Sequence, residues 1–120
     1  MAAGDIEVDV LVVGTGASGM SAAVTAAYHG LQVLVVEKEA RFGGTTARSG
    51  GWLWIPGTRL ATEQGITEPL GAAKAYLKHE ATTHFDEERV DAFIDSGPKA
   101  IEFFTRNTCV QFDMPAVFPD

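Results

Sequence analysis

The chain has 120 residues, the size of one ordinary domain, and its 46% hydrophobic and 21% charged residues are typical of a globular protein. A formal net charge of −7 with only nine lysines and arginines argues against a nucleic-acid partner, because duplex binding depends on clustered basic side chains. No apolar run approaches the roughly 20 residues that a transmembrane helix needs, so we expect no transmembrane segment.

The single cysteine, Cys109, excludes an internal disulfide, and the residues before the first apolar run lack the basic start of a secretory signal. We therefore expect a cytoplasmic protein. Because a free cysteine behaves as a small apolar residue, we also expect Cys109 to be buried and not to act as a nucleophile.

The first elements in chain order predict a strand–helix–strand unit over residues 6–37. Residues 9–13 form a valine-rich apolar run, which predicts a strand buried on both faces. Residues 17–28 are rich in alanine and carry apolar residues at helical spacing, and Gly30 suits the end of that helix. Residues 32–36 predict a second strand. Two such strands joined by one helix form a parallel βαβ unit.

The rest of the chain predicts a loop followed by helices. Glycines, serines and threonines interrupt any regular period across residues 41–57, which predicts an extended loop with one helical turn. Helical spacing returns over residues 69–107, and the predicted helices cover residues 70–84, 87–95 and 98–106. Asp86 suits the N-cap of the second helix, and Pro98 suits the first turn of the third. Residues 110–118 predict an extended tail.

A G-x-G-x-x-G motif follows the first predicted strand, in the run Gly14-Thr15-Gly16-Ala17-Ser18-Gly19. Gly14 allows the tight turn off the strand, Gly16 allows a pyrophosphate to approach the backbone, and Gly19 allows the helix to pack against the sheet. The free amides and the positive dipole end at the start of the helix attract phosphate. The position of the motif between strand and helix therefore predicts a dinucleotide-binding site.

An acidic residue at the end of the second predicted strand supports this interpretation. Glu37 follows Gly14 by 23 positions, close to the spacing of a carboxylate that binds the adenosine ribose. A carboxylate accepts hydrogen bonds from both ribose hydroxyls and repels a 2′-phosphate, so NADP is disfavoured. The motif alone leaves NAD and FAD open.

The next segment carries a family resemblance. Glu37-Lys38, followed by the run from Arg41 to Gly57 (Arg-Phe-Gly-Gly-Thr-Thr-Ala-Arg-Ser-Gly-Gly-Trp-Leu-Trp-Ile-Pro-Gly), resembles FAD-binding flavoproteins of the fumarate reductase and succinate dehydrogenase superfamily. Within that group it is most similar to the 3-ketosteroid Δ1-dehydrogenase (3-oxosteroid 1-dehydrogenase) branch, and the similarity extends more loosely to residues 117–120. The resemblance implies an α/β fold: a Rossmann-like FAD/NAD(P)-binding βαβ unit in an incomplete sheet, then a glycine-rich flavin loop and helices. It implies an FAD-dependent oxidoreductase that transfers hydride between a substrate carbon–carbon bond and FAD.

The loop at residues 41–57 also fits FAD on physical grounds, because an extended FAD needs a second stretch of backbone that can approach it closely. The predicted cofactor-binding residues are Gly14, Gly16, Ala17, Ser18, Gly19, Glu37, Lys38, Gly43, Gly44, Thr45, Thr46, Ser49, Gly50 and Gly51. Members of the resembled family that attach FAD covalently carry a histidine just before the threonine of this loop. Here that place is Gly44, which implies non-covalent FAD.

No catalytic acid or base is identified in the sequence, and no metal site is expected. His29 suits the end of a helix, where the dipole favours a cation. His79 and His84 suit surface positions and have no metal-ligand spacing to Cys109. The resemblance implies several hundred further residues, so we expect residues 1–120 to be the N-terminal part of an FAD-binding domain without its substrate domain. The expected partners are the remainder of the same polypeptide and a small-molecule substrate, with a steroid as one candidate.

Two other readings stay open at this point. One is a non-catalytic module that binds a dinucleotide without turnover. The other is half of an NAD-dependent dehydrogenase, which the second glycine-rich loop disfavours because a nicotinamide enzyme does not need it.

Overall fold

A computed structural model describes residues 4–69 and 71–114 of the chain. The chain divides into two compact units, one before and one after the bond between Leu53 and Trp54. The strands and helices are β1 (Val10–Val13), α1 (Ala17–Tyr28), β2 (Val33–Val36), α2 (Arg59–Glu63), α3 (Ala72–Ala81) and α4 (Glu87–Asn107), with 3-10 turns at Thr46–Arg48 and Thr82–His84. Within the described ranges, no helix is long and apolar enough to cross a membrane.

The first unit is built on two parallel strands joined by one helix. β1 and β2 pair along their full length, with Val10 opposite Val33, and α1 packs against both strands. The amino end of the pair is held by Asp9, whose Oδ2 accepts a hydrogen bond of 2.8 Å from the Gln32 N–H. The predicted strand–helix–strand order and its parallel pairing are confirmed.

The end of α1 follows its sequence signal. Gly30 has a φ of +83°, and its N–H donates a hydrogen bond of 2.9 Å to the Ala27 carbonyl. Glycine adopts this left-handed conformation without the cost that a Cβ imposes, so it can turn the chain back towards the second strand. The prediction that Gly30 ends the helix is confirmed.

The burial of β1 differs from the prediction. Val12 is 8% exposed, whereas Leu11 is 57% exposed and Val13 is 79% exposed. Successive side chains of a strand lie on opposite faces of the sheet, and α1 packs on one of them. The prediction that this strand is buried on both faces is wrong for this chain, because no element within residues 4–69 and 71–114 covers Leu11 and Val13.

The second unit contains a short helix, α2, that is absent from the predicted elements. α2 begins after Thr58, a 7% exposed residue whose Oγ1 accepts a hydrogen bond of 3.3 Å from the Ala61 N–H. Threonine is a favoured N-cap, so Thr58 is the signal that could have identified α2. α3 lies inside the predicted range 70–84 and continues into the 3-10 turn, while Leu70 lies outside the described residues.

α4 corrects the prediction of two helices over residues 87–106. It is one continuous helix that contains Pro98, the residue predicted for the first turn of a separate helix. Proline lacks the N–H that a helix interior needs, but the apolar stripe keeps its spacing of three or four residues on both sides of it. The packing of one continuous face offsets the missing hydrogen bond. The buried or half-buried residues of this stripe are Val90, Ile94, Gly97, Ile101 and Phe104.

The start of α4 agrees with the prediction. Asp86 is its N-cap, and the Asp86 Oδ1 accepts a hydrogen bond of 3.1 Å from the Arg89 N–H.

Trp54 packs between α3 and α4, with its ring 5.5 Å from that of Tyr76 and 6.1 Å from that of Phe93. The predicted extended tail contains neither helix nor strand as far as Met114, and its remaining residues, like 117–120, lie outside the described part of the chain.

Candidate functional site

The G-x-G-x-x-G run occupies the turn from β1 into α1, as the motif requires. Gly14 follows the last residue of β1 with a φ of +98°, a conformation that strains any residue with a side chain. Gly16 is the N-cap of α1 and has extended backbone angles, φ −66° and ψ 180°. The first turn of α1 contains no acidic residue, so its amide groups and positive dipole end are free of a competing carboxylate from within the helix.

The two later glycines of the motif have different surroundings. A Cβ added to Gly19 would lie 2.1 Å from the carbonyl oxygen of Gly14 and 3.4 Å from a methyl group of Val12. A Cβ added to Gly16 would meet only the Thr46 Oγ1, at 4.0 Å. Gly19 is therefore required by the packing of α1 against β1, whereas Gly16 lies beside open space that a ligand can enter.

Glu37 is held directly against the first glycine turn. Its Oε2 accepts hydrogen bonds from the Thr15 N–H at 2.9 Å and from the Thr15 hydroxyl at 2.5 Å. Its Oε1 accepts a hydrogen bond of 3.1 Å from the Glu39 N–H. The Thr15 hydroxyl, helped by the backbone amides of Glu39 and Thr15, lowers the pKa of the Glu37 carboxyl from 4.5 to about 2. The side chain is therefore ionised and acts only as an acceptor at neutral pH.

The second glycine run lies against the first. Gly43 and Gly44 have φ values of +108° and +56°, and a Cβ on Gly44 would lie 3.3 Å from the Gly16 Cα. The Thr46 Oγ1 accepts a hydrogen bond of 3.2 Å from the Ala17 N–H, the first amide of α1. Close backbone approach and a hydroxyl at the helix start thus bring the two predicted loops into one cradle, which we define as Gly14–Gly19, Glu37 and Gly43–Thr46.

The remaining predicted site residues are not joined to this cradle by the same kind of contact. The Ser49 hydroxyl donates to the Thr46 carbonyl at 2.8 Å and accepts from the Gly51 N–H at 3.1 Å, so it folds its own loop. Gly50 lies close to Trp52, where a Cβ would come within 2.9 Å of the indole ring. Lys38 is 87% exposed and pairs with Glu39 at 3.9 Å. Ser18 and Thr45 lie within the cradle, and both are exposed.

Sequence reasoning missed Thr15, which is 6% exposed and contacts both Glu37 and the second loop. The motif treats its position as unspecified, so only the presence of a hydroxyl between two glycines could have indicated a role.

The prediction that Cys109 is buried is wrong, since it is exposed. His79 is exposed and pairs with Glu80 at 3.0 Å. The described residues contain no cluster of side chains suited to bind a metal.

Comparison with known proteins identifies the family of this cradle. Residues 9–117 match the family model described as the FAD binding domain. This chain belongs to that family. FAD is therefore its cofactor, and the cradle fits FAD: it offers open space at Gly16, amides at the start of α1 and an ionised acceptor at Glu37.

Several dehydrogenases are similar to this chain. It is 49% identical over 115 residues to the 4-oxocyclohex-2-ene-1-carboxylate 5-dehydrogenase of Sinomonas cyclohexanicum, covering 96% of this chain and 19% of that protein. It is 44% identical over 102 residues to the 3-oxosteroid 1-dehydrogenase of Mycobacterium tuberculosis (strain ATCC 25618 / H37Rv), covering 85% and 18%. The crystal structure of 3-ketosteroid delta1-dehydrogenase from Sterolibacterium denitrificans, in complex with 1,4-androstadiene-3,17-dione, matches with a TM-score of 0.77 and 40% identity over 87% of this chain and 18% of that one. The chain thus spans about a fifth of the length of these relatives.

Proposed function

We propose that this chain is the FAD-binding segment of a flavin-dependent dehydrogenase that oxidises a ring carbon–carbon bond beside a ketone. The observation that supports it is the cradle itself, in which Gly16 leaves space for a pyrophosphate, Glu37 is ionised and Thr46 contacts the first amide of α1. The names of the three relatives each give a ring ketone and a dehydrogenated ring position.

Within this proposal the described residues bind the cofactor and do not act on the substrate. Gly14–Gly19 form a Rossmann-like turn for the pyrophosphate, and Glu37 accepts hydrogen bonds from the adenosine ribose. The loop at residues 41–57, with Ser49, Gly50 and Gly51, approaches the ribityl chain and the flavin ring. Bound FAD would supply the hydride acceptor. Non-covalent attachment follows from Gly44, which stands where the resembled covalent members carry histidine.

The proposed reaction also needs a substrate pocket and a catalytic base. Oxidation beside a ketone removes a proton from the carbon next to the carbonyl and a hydride from its neighbour, so a base must reach that proton. We place this base and the substrate pocket in a further part of the polypeptide, because the chain spans 18–19% of the two enzyme relatives and 18% of the solved structure. A 3-ketosteroid and a 4-oxocyclohex-2-ene-1-carboxylate are the two substrate classes to test. We propose a cytoplasmic location for the protein.

The test begins with the polypeptide that carries this chain at full length. Its purified form should show flavin absorbance, and acid precipitation should leave the flavin in the supernatant. Glu37→Ala should weaken FAD binding, whereas Glu63→Ala, on the exposed face of α2, should not. Anaerobic mixing with each ketone should bleach the flavin absorbance for the true substrate class.

Each other outcome has a definite meaning. Flavin that stays with the precipitated protein would contradict non-covalent attachment. Flavin that binds but is not reduced by either ketone would favour the non-catalytic module over the dehydrogenase. A protein that binds NAD and not FAD by calorimetry would overturn the proposed role of the second loop.

A further inference from the structure

A buried hydroxyl joins the two glycine loops of the cradle. Thr15 occupies an unspecified position of the G-x-G-x-x-G motif, and only 6% of it is exposed. Its Oγ1 donates to the Glu37 Oε2 at 2.5 Å and accepts from the Gly43 N–H at 2.8 Å. A hydroxyl has one donor and two acceptor sites. The Thr15 oxygen can therefore connect the Glu37 carboxylate, just after β2, with the Gly43 N–H of the second glycine run.

We propose that Thr15 is a positioning residue for FAD, whose hydroxyl fixes the Glu37 carboxylate for the adenosine ribose and fixes Gly43 at the start of the flavin loop. The inference rests on the proposed FAD site and adds a residue that the motif does not specify. Thr15 acts through Glu37 and Gly43 and needs no contact of its own with the cofactor.

The hydrogen bonds around Glu37 show why such a residue matters. The Oε2 accepts from both the Thr15 N–H and the Thr15 hydroxyl, and the Oε1 accepts from the Glu39 N–H. These hydrogen bonds fix the orientation of the Glu37 carboxylate in the free protein. A glutamate fixed in advance loses less side-chain freedom on binding than a mobile one, which favours affinity.

The same hydroxyl also accepts a hydrogen bond from the second glycine run. The Gly43 N–H is partly buried, and without Thr15 Oγ1 it loses its acceptor. Gly43 has a φ of +108° and its carbonyl accepts from the Ala47 N–H at 3.1 Å, so its position determines where the 3-10 turn begins. Removing the Thr15 hydroxyl should therefore weaken binding at both the adenosine end and the flavin end of the site. The larger loss is expected at the adenosine end, where the lost hydrogen bond is to the Glu37 carboxylate.

Thr15→Val is the informative variant, because it keeps the branched shape, removes the hydroxyl and leaves the backbone N–H bond to Glu37 in place. Thr15→Ser keeps the hydroxyl and serves as the conservative rescue. Thr25→Val, on α1 and outside the cradle, is the matched control. The measurements are dissociation constants of the full-length apoprotein for FAD and for FMN, which carries the flavin and one phosphate but no adenosine.

We expect Thr15→Val to weaken FAD binding by roughly tenfold or more, since a hydrogen bond to a charged group is lost. It should weaken FMN binding less, so that the preference for FAD over FMN falls. Thr15→Ser and Thr25→Val should both keep the wild-type preference. If Thr15→Val fails to fold, Thr15→Ala removes the same hydroxyl from a smaller side chain, and the same fall in preference is expected.

Two results would overturn the inference while leaving the proposed function intact. In the first, wild type and Thr15→Val bind FAD equally well. In the second, FAD and FMN affinities fall in the same proportion, which is the result of general loosening rather than positioning of Glu37. A wild-type protein that binds no FAD would instead overturn the proposed function, and this inference with it.

Discussion

Alanine substitutions at Gly16 and Gly19 should separate cofactor binding from folding. Gly16 has ordinary extended backbone angles, and an added Cβ meets only the Thr46 Oγ1 at 4.0 Å. Alanine therefore fits the free protein. Restricting the unfolded chain contributes about 0.4–1 kcal/mol, and the poorer N-cap that alanine makes at the start of α1 costs a similar amount. At Gly19 the added Cβ lies 2.1 Å from the Gly14 carbonyl oxygen. That neighbour is backbone and cannot rotate away, so α1 must move off β1.

The size of the Gly19→Ala effect follows from two opposing contributions. Carbon and carbonyl oxygen approach no closer than about 3.3 Å in ordinary contacts, so the helix must shift by roughly 1 Å. Forcing extra atoms into a packed site costs about 1–3 kcal/mol, and here the rigid neighbour favours the upper end. Alanine gains up to about 1 kcal/mol over glycine as a helix former, which offsets part of this. The expected net loss is about 1–2 kcal/mol of unfolding free energy.

Thermal melting of the apoprotein and FAD titration together give the assay. Gly16→Ala should melt close to the wild-type temperature and yet bind FAD at least roughly tenfold more weakly, because its methyl group occupies the space beside the pyrophosphate. Gly19→Ala should melt lower, and saturating FAD should recover part of the loss by mass action. Wild-type FAD affinity in Gly16→Ala would refute the assignment of the open space to the cofactor. Wild-type melting of Gly19→Ala would refute the close approach of α1 to β1.

Three further predictions concern single side chains. The pKa of Glu37 is lowered from 4.5 to about 2, so its ionised form stabilises the fold above pH 4.5 and this contribution is lost as the pH falls through 2. The difference in melting temperature between wild type and Glu37→Gln should therefore persist at pH 5–8 and shrink towards pH 2. Gly97→Ala should destabilise α4 despite the better helix former, since its Cβ would lie 2.8 Å from the Ile55 Cγ2, and Ile55→Ala should reduce that cost in a double-mutant cycle. Asp86→Ala should cost about 0.5–2 kcal/mol in chemical denaturation, because α4 loses its N-cap acceptor.

The parts of the fold that sequence predicts here depend on local geometry. Gly14 and Gly30 require positive φ values at the two ends of α1, and each requirement is visible in the order of neighbouring residues. Asp86 accepts from an amide three residues later, which is also local. The spacing from Gly14 to Glu37 reflects the length of one βαβ crossover, so it identified the acid that the structure brings against the first turn.

The parts that sequence does not predict depend on contacts between distant residues. A proline usually interrupts a helix. Here the apolar stripe of α4 continues past Pro98, and its packing keeps the helix continuous. The role of Thr15 arises because residues 22 and 28 positions away meet its hydroxyl, and no short window contains both partners. The exposure of Cys109 likewise depends on what packs around it and not on its residue type.

The exposed side of β1 links the fold to the proposed function. A continuous valine-rich strand is typical of a parallel sheet covered on both faces, yet Leu11 and Val13 are 57% and 79% exposed. Burying such a side chain contributes about 1.5–3 kcal/mol. The stabilisation lost by leaving both in water is therefore a large fraction of the unfolding free energy of a typical domain, about 5–15 kcal/mol. Under the proposed function, further strands and helices of the same polypeptide cover this face. The cofactor cradle lies at the carboxyl end of the same strand, and the stability of the cradle therefore depends on that covering layer as well as on the residues that touch FAD.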